Sequence, residues 1–209
     1  MDRQASARVP ARHSARSPVG GTAGNEKLTA MTGVVLLVGF AIEGFTVLEI
    51  HRLLFLHFLI GLLLVGPVLL KIGSTMYRFI RYYTGAQPYV RKGPPAPLLR
   101  VLGPLVILTS IAVLSTGVIL AVTGPGPGPW LLLHKAAFIA WFAVMTIHVL
   151  NYAPRLPRLL GAQPAGRGSA VESVPGARIR WLALALSLAA GVGVAAAAMN
   201  LSVGWGIRF

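Results

Sequence analysis

Five long apolar segments, separated by short polar linkers, constrain the fold of this chain more than any other feature. Each is close to the ~20 residues that an α-helix needs to cross the hydrocarbon core of a bilayer. The sequence therefore predicts an all-α fold, a polytopic transmembrane helical bundle. The predicted spans run from about Leu28 to Leu48, His51 to Tyr77, Leu98 to Val122, Trp130 to Tyr152 and Trp181 to Val203.

The composition agrees with a membrane protein. Of the 209 residues, 55% are hydrophobic and 11% are charged, whereas soluble domains carry about 25% charged residues. The net charge of +14 would suggest nucleic acid binding in a soluble protein. Here the arginines lie in the tails and at the ends of apolar segments, so membrane topology and anionic lipid explain them and no nucleic acid partner is expected. The lack of cysteine excludes disulfides, thiolate haem ligation and iron–sulfur clusters.

The distribution of positive charge predicts the orientation. The N-terminal tail and the linkers after the second and fourth spans are rich in Arg and Lys. By contrast, the turn between the first and second spans has only Arg52 as a positive charge, and the Gly124–Pro129 turn has no charge. Positively charged loops remain on the cytoplasmic side. We therefore expect a cytoplasmic N-terminus and a C-terminus outside.

The same features predict four regions. Residues 1–26 form a basic, disordered cytoplasmic tail, 27–155 a four-helix transmembrane core, 156–178 a cytoplasmic linker, and 179–209 a fifth transmembrane helix with a short outer tail. The fifth span is rich in Ala and Gly, and small residues let helices approach closely in lipid. It is predicted to pack against the bundle or against a partner subunit.

Two histidines of the fourth span point to a redox cofactor. His134 and His148 are fourteen residues apart, which returns a helix to within about 40° of the same face and ~21 Å along its axis. One helix face thus offers an imidazole near each side of a bilayer, as needed to hold two haems one above the other. Ionisable residues inside a span are costly and tend to mark function, although packing or interfacial roles are the simpler alternative.

The second span offers the partner for His134. His57 lies at a matching depth on a parallel helix, so the two imidazoles are predicted to hold a haem b between the helices. Gly61, one turn below His57, leaves room for the macrocycle or serves ordinary helix packing. His51 points elsewhere around the helix, as an interfacial residue or an alternative ligand.

At the inner level the histidine pattern is broken. Lys71 stands fourteen residues after His57, where a second histidine would face His148. Lys71 either ligates iron as a neutral amine, or stays charged and reaches a haem propionate or a lipid phosphate. In the third alternative the inner haem is absent and His148 is hydrogen-bonded within the bundle. Arg78 is a candidate for holding propionates or docking a cytoplasmic partner, and positive-inside topology also explains it. One or two haems are therefore expected.

With these residues, the chain resembles the bacterial cytochrome b561-type membrane subunits, which are small haem-b proteins of oxidoreductases. The resemblance covers about residues 28–155 and rests on HFLIG at His57, on the spacing of His134 and His148, and on the pairing of the second and fourth spans. The segment KIGSTMYRFIRYYTG with KGPP also looks like proteins associated with molybdopterin oxidoreductases. The resemblance implies a subunit of the bacterial cell membrane that exchanges electrons with quinone and with a partner oxidoreductase.

Two functions thus remain open from the sequence. The first is a membrane electron-transfer subunit with haem-iron ligands among His57, His134, His148 and Lys71, and no catalytic residues of its own. The second is a haem-free membrane anchor or small transporter with an intramembrane polar or proton-relay lining. Glu43 suits proton uptake or a quinol hydrogen bond, or a salt bridge to Arg52 or Lys135.

Overall fold

The computed structural model describes residues 20–94, 97–124, 126–155 and 174–199, and their regular structure is helical throughout. Five helical stretches in these ranges are long and apolar enough to cross a membrane, with α2 and α3 forming one span of 34 residues. The predicted all-α, multi-pass membrane bundle is confirmed. The elements are α1 (Gly21–Leu48), α2 (Ile50–Leu63), α3 (Val65–Tyr83), α4 (Gln87–Arg91), α5 (Pro97–Thr123), α6 (Trp130–Tyr152), a 3-10 turn (Ala153–Arg155) and α7 (Ala177–Met199).

The first helix starts earlier than hydropathy predicts. α1 begins at Gly21 rather than near Leu28, because its polar first turns are bound to α3. The Asn25 side-chain amide donates to the Ser74 carbonyl at 3.0 Å, and Glu26 pairs with Arg78. The predicted tail therefore contributes its last residues to the bundle. The rest of that tail, most of the 156–178 linker and the outer tail after residue 199 lie outside the described residues.

The helix of the second span is interrupted at two places. Leu64 separates α2 from α3, just before Gly66 and Pro67. A proline has no N–H to donate to the carbonyl four residues earlier, so a helix bends there readily. Near its start, α2 has a non-helical residue, Leu53, with φ −111° and ψ 18°. This kink separates the turn that holds His51 from the helix that holds His57.

The last helix packs directly on the backbone of the second span. An ideal Cβ on Gly66 would lie 1.9 Å from the Ser187 carbonyl oxygen, and one on Gly191 would lie 2.0 Å from the Leu63 carbonyl oxygen. Any side chain at either glycine would collide with backbone, so both positions depend on hydrogen as the side chain. Of the two partners predicted for the fifth span, the structure shows the bundle itself.

The helices α2 and α6 contact each other through the rings of His57 and His134. α5 packs along α6, while α1 and α7 pack on α2 and α3; α2 and α6 are not among the helix pairs whose backbones approach closely. Leu36, Leu64 and Val68 form the buried core, and Leu114 of α5 packs against it. We call the end where α1 stops and α6 starts the His57 end, and the opposite end the Lys71 end.

Candidate functional site

The structure brings His57 of α2 and His134 of α6 together at the His57 end. Their ring centres are 6.3 Å apart and their planes make an angle of 72°. Both side chains are partly buried. These two histidines are 77 residues apart in the sequence. They are neighbours because they lie at the same depth on two parallel helices.

The imidazole of His57 is held by two residues at the end of α1. Its Nδ1 lies 2.9 Å from Glu43 Oε1 and 3.2 Å from Thr46 Oγ1. The Thr46 hydroxyl donates to the Glu43 backbone carbonyl at 2.6 Å, and its side chain is almost completely buried. A carboxylate accepts and does not donate, so the proton of a neutral His57 belongs on Nδ1. Its Nε2 then carries the lone pair that can bind a metal.

The imidazole of His134 is held in the same way by α5. Its Nδ1 lies 3.2 Å from Thr116 Oγ1. The Thr116 hydroxyl donates to the Ala112 carbonyl at 2.7 Å, so its oxygen is the acceptor for an Nδ1–H of His134. An ideal Cβ on Gly117 would be 3.0 Å from His134 Cε1, which shows that the ring lies directly on the α5 backbone. The lone pair of His134 is therefore also on Nε2.

Gly61 serves the carboxylate beside His57. An ideal Cβ on Gly61 would lie 3.1 Å from Glu43 Oε1. A larger residue would push the carboxylate away from its position at Nδ1 of His57. The space beside Gly61, which was predicted to hold part of a macrocycle, is thus occupied by the Glu43 carboxylate. Gly61 supports His57 indirectly, because it leaves space for that carboxylate.

The distance between the two rings suits one metal ion between them. With metal–nitrogen bonds of about 2.0–2.1 Å and a nitrogen about 1 Å from its ring centre, two imidazoles on opposite sides of one metal have ring centres about 6 Å apart. Both imidazole rings have a hydrogen-bond partner at Nδ1, as metal-bound histidines usually do. Among the described residues, no group of three or more His, Cys, Asp and Glu could hold a metal ion. A haem needs two protein ligands, because the porphyrin supplies the other four.

Lys71 takes part in a hydrogen-bond network with α1. Its Nζ donates to the Thr29 carbonyl at 2.6 Å, and an ideal Cβ on Gly33 would lie 2.9 Å from Nζ. The Thr29 hydroxyl in turn donates to Ser74 Oγ at 2.9 Å, and Ser74 donates to the Lys71 carbonyl. The amine is thus directed towards α1, with Gly33 making room for it.

His148 lies near the Lys71 end without a hydrogen bond to Lys71. Its Nδ1 is buried and, among the described residues, has no hydrogen-bond partner; the same is true of Asn151 Oδ1, three residues further on. The ring centre of His148 is 4.8 Å from that of Tyr152. The histidine therefore has none of the support at Nδ1 that His57 and His134 have.

A tryptophan fills the interior between the two histidines of α6. Trp141 is seven residues from both His134 and His148, and it is 8% exposed. Its Nε1 donates to Ser110 Oγ at 3.1 Å, and its ring centre is 4.7 Å from that of Phe40. Trp141 thus joins α6 to α5 and α1 between the His134 and His148 levels.

Arg78 is at the Lys71 end, where it belongs to a small ion-pair cluster. Its Nη1 donates to Glu26 Oε1 at 3.2 Å, and Lys92 pairs with the other oxygen of the same carboxylate. Arg78, near the end of α3, therefore contacts the start of α1 and lies at the opposite end of the bundle from His57 and His134. This pairing fixes the start of α1 against the end of α3.

Sequence reasoning missed the residues that support the two histidines. The role of Glu43 as the partner of His57, and those of Thr46, Thr116 and Gly117, appear only when the helices are packed. A signal was present for the first two, since Glu43 and Thr46 are three residues apart and so share one helix face at the depth of His57. No such signal marks Thr116 among the other hydroxyl residues of α5.

Comparisons with known proteins identify no relative of this chain. A scan with protein-family models gives no match. Neither the curated proteins nor the solved structures include a match to this chain.

Proposed function

We propose that this protein is a membrane electron-transfer subunit that binds one haem b between His57 and His134. The observation that carries the proposal is the pair of imidazoles with ring centres 6.3 Å apart, each hydrogen-bonded through Nδ1. His57 and His134 would then hold the haem iron through their Nε2 lone pairs. When bound, the haem supplies one-electron chemistry.

The chain contributes the ligands and their surroundings. Glu43 fixes the orientation of His57, and its negative charge would stabilise the oxidised form of a haem bound there. Thr116 and Gly117 fix the orientation of His134. The resemblance to cytochrome b561-type subunits supports electron exchange between the quinone pool of the bacterial cell membrane and a partner oxidoreductase. Positive-inside counting supports a cytoplasmic N-terminus, with the His57 end outside.

One haem is proposed rather than two because the residues at the Lys71 end differ from those at the His57 end. The Lys71 amine donates to a backbone carbonyl of α1. The Nδ1 of His148 has no hydrogen-bond partner in the described part of the chain. Of the readings of Lys71 that the sequence leaves open, these contacts favour the one without an inner haem.

Replacement of the two histidines tests the proposal. His57→Ala and His134→Ala should each abolish the haem absorption bands of the purified protein while it remains in the membrane, because each removes one axial ligand. His51→Ala is the matched control, since His51 is an exposed histidine of the same helix. Normal bands in either ligand variant would contradict the proposed site.

A second candidate function is favoured by the Glu43–His57 contact. A carboxylate and an imidazole 2.9 Å apart within a span can exchange a proton. A haem-free anchor or small transporter could use this pair as a proton relay. The absorption spectrum of protein expressed with ample haem distinguishes the two functions. A proton relay needs no haem, so a protein with that function would be purified without a haem absorption band.

A further inference from the structure

A cavity of about 540 Å³ lies between α1, α3, α4 and α7 at the Lys71 end, apart from the histidine pair. Its lining is divided by chemistry. Leu28, Leu69, Leu70, Ile179 and Ala183 form an apolar part. The polar part consists of Asn25, Ser74, Tyr77, Tyr89 and Arg180.

Arg180 gives this cavity a buried positive charge. The residue is 3% exposed, and its guanidinium donates to the Pro175 carbonyl at 2.6 Å and to the Val174 carbonyl at 3.0 Å. Backbone carbonyls satisfy hydrogen bonds but do not neutralise a charge. Burial of a charge is costly unless an opposite charge lies nearby.

No carboxylate in the described part of the chain compensates Arg180. Glu26 is shared by Arg78 and Lys92, and Glu43 is bound to His57. Glu49 follows α1 at the opposite end of the bundle. Among the described residues, Glu26 is thus already paired with Arg78 and Lys92, and Arg180 adds a positive charge to the cavity that no carboxylate neutralises.

We propose that this cavity is a specific site for an anionic phospholipid. The phosphate binds at Arg180 with the Tyr77 and Tyr89 hydroxyl groups, and an acyl chain lies against Leu28, Leu69 and Ile179. The choice rests on charge complementarity: a net negative headgroup neutralises Arg180, whereas a zwitterionic headgroup adds a cation and a quinone carries no charge. By positive-inside counting, this end faces the cytoplasm, where basic pockets between helices bind anionic headgroups. The site does not depend on the proposed haem.

Lipid binding to the purified full-length protein tests the site. Native mass spectrometry would compare phosphatidylglycerol with phosphatidylcholine of the same acyl chains. Arg180→Gln should weaken phosphatidylglycerol binding at least about tenfold, since it removes a charged hydrogen bond. Arg178→Gln is the matched control, because it removes the same charge from an exposed position on α7 that does not line the cavity.

A second variant fills the cavity without changing its charge. Gly73 lines the cavity, and an ideal Cβ there has no atom within 4 Å, so Gly73→Leu can enter the open space. It should also weaken phosphatidylglycerol binding about tenfold by occupying the space of the acyl chain. Gly193→Leu is its control, as Gly193 on α7 has equally open surroundings and does not line the cavity.

The results separate the possible occupants. Weaker binding in Arg180→Gln and Gly73→Leu, with both controls unchanged and phosphatidylglycerol preferred, is the expected outcome. Equal binding of phosphatidylcholine, or displacement of phosphatidylglycerol by millimolar inorganic phosphate alone, would overturn the lipid assignment. If Arg180→Gln does not fold, Gly73→Leu decides, and its unchanged binding would overturn the proposal.

Discussion

At the scale of single residues, the most informative atoms are the Nδ1 nitrogens of the histidines. Of the three partly buried histidines in the described spans, His57 and His134 have an oxygen partner at Nδ1, and His148 has none. A hydrogen bond at Nδ1 selects the tautomer and fixes the plane of the ring. The hydrogen bonds at Nδ1 therefore distinguish His57 and His134 from His148, whereas the spacing in the sequence treats the three histidines as equivalent.

Glu43 is expected to control the affinity and the potential of the haem. Glu43→Ala should lower haem affinity about 10–100-fold, as loss of a hydrogen-bond partner of a metal-bound histidine does elsewhere. The midpoint potential should become more positive, because removal of a negative charge near the iron destabilises the oxidised form. Haem titration and redox potentiometry would measure both effects. Glu49→Ala is the control, and an equal effect of both variants would show that Glu43 has no specific role.

Lys71 is expected to be dispensable for haem binding. Lys71→Met should leave the haem content per chain unchanged, because Nζ donates to the Thr29 carbonyl of α1. A haem assay on purified protein would check this. Lys135→Met, which removes an exposed lysine next to His134, controls for the lost charge. Loss of haem in Lys71→Met with normal content in Lys135→Met would make Lys71 a ligand.

At the scale of helices, the contact between α7 and the second span determines how the bundle closes. α7 has almost no polar side chains on its membrane-spanning part, and apolar burial gives helices little drive to associate in lipid. Close backbone packing at Gly66 and Gly191 supplies dispersion contacts in its place. The break between α2 and α3 at Leu64 lies at the same level, so α7 covers the part of the second span where the helix is interrupted.

Gly191→Ala should destabilise this contact. The added Cβ would lie 2.0 Å from the Leu63 carbonyl oxygen, so the two helices must separate. Overpacking of this kind typically lowers the free energy of unfolding by about 1–3 kcal/mol. Unfolding of the purified protein in detergent would measure the change. Gly193→Ala should have little effect, because no atom lies within 4 Å of its ideal Cβ, and equal losses in the two variants would refute the role of this contact.

Hydropathy and residue spacing predict most of the helices and the pairing of His57 with His134. The five spans follow from segment length, and His57 and His134 follow from depth on parallel helices. The early start of α1 was missed because its first turns are polar and are held by Ser74 and Arg78. The support by Glu43 and Thr116 was missed because it depends on how α1 meets α2 and how α5 meets α6, which no local pattern records.

At the scale of the whole molecule, the bundle consists of two groups of helices with the histidine pair between them. α1, the second span and α7 form one group and provide Glu43, Thr46 and His57. The α5–α6 hairpin forms the other and provides Thr116 and His134. The haem proposed here would therefore join the two groups as well as carry electrons, so haem binding should stabilise the whole bundle.

The haem content of the wild-type protein tests the proposed function most directly. A reduced-minus-oxidised spectrum with a pyridine haemochrome assay, on protein expressed with ample haem, should show a b-type spectrum and one haem per chain. Two haems per chain would contradict the single site and make His148 and Lys71 the candidates for the second. A protein without haem would contradict the electron-transfer proposal and favour the haem-free anchor or transporter.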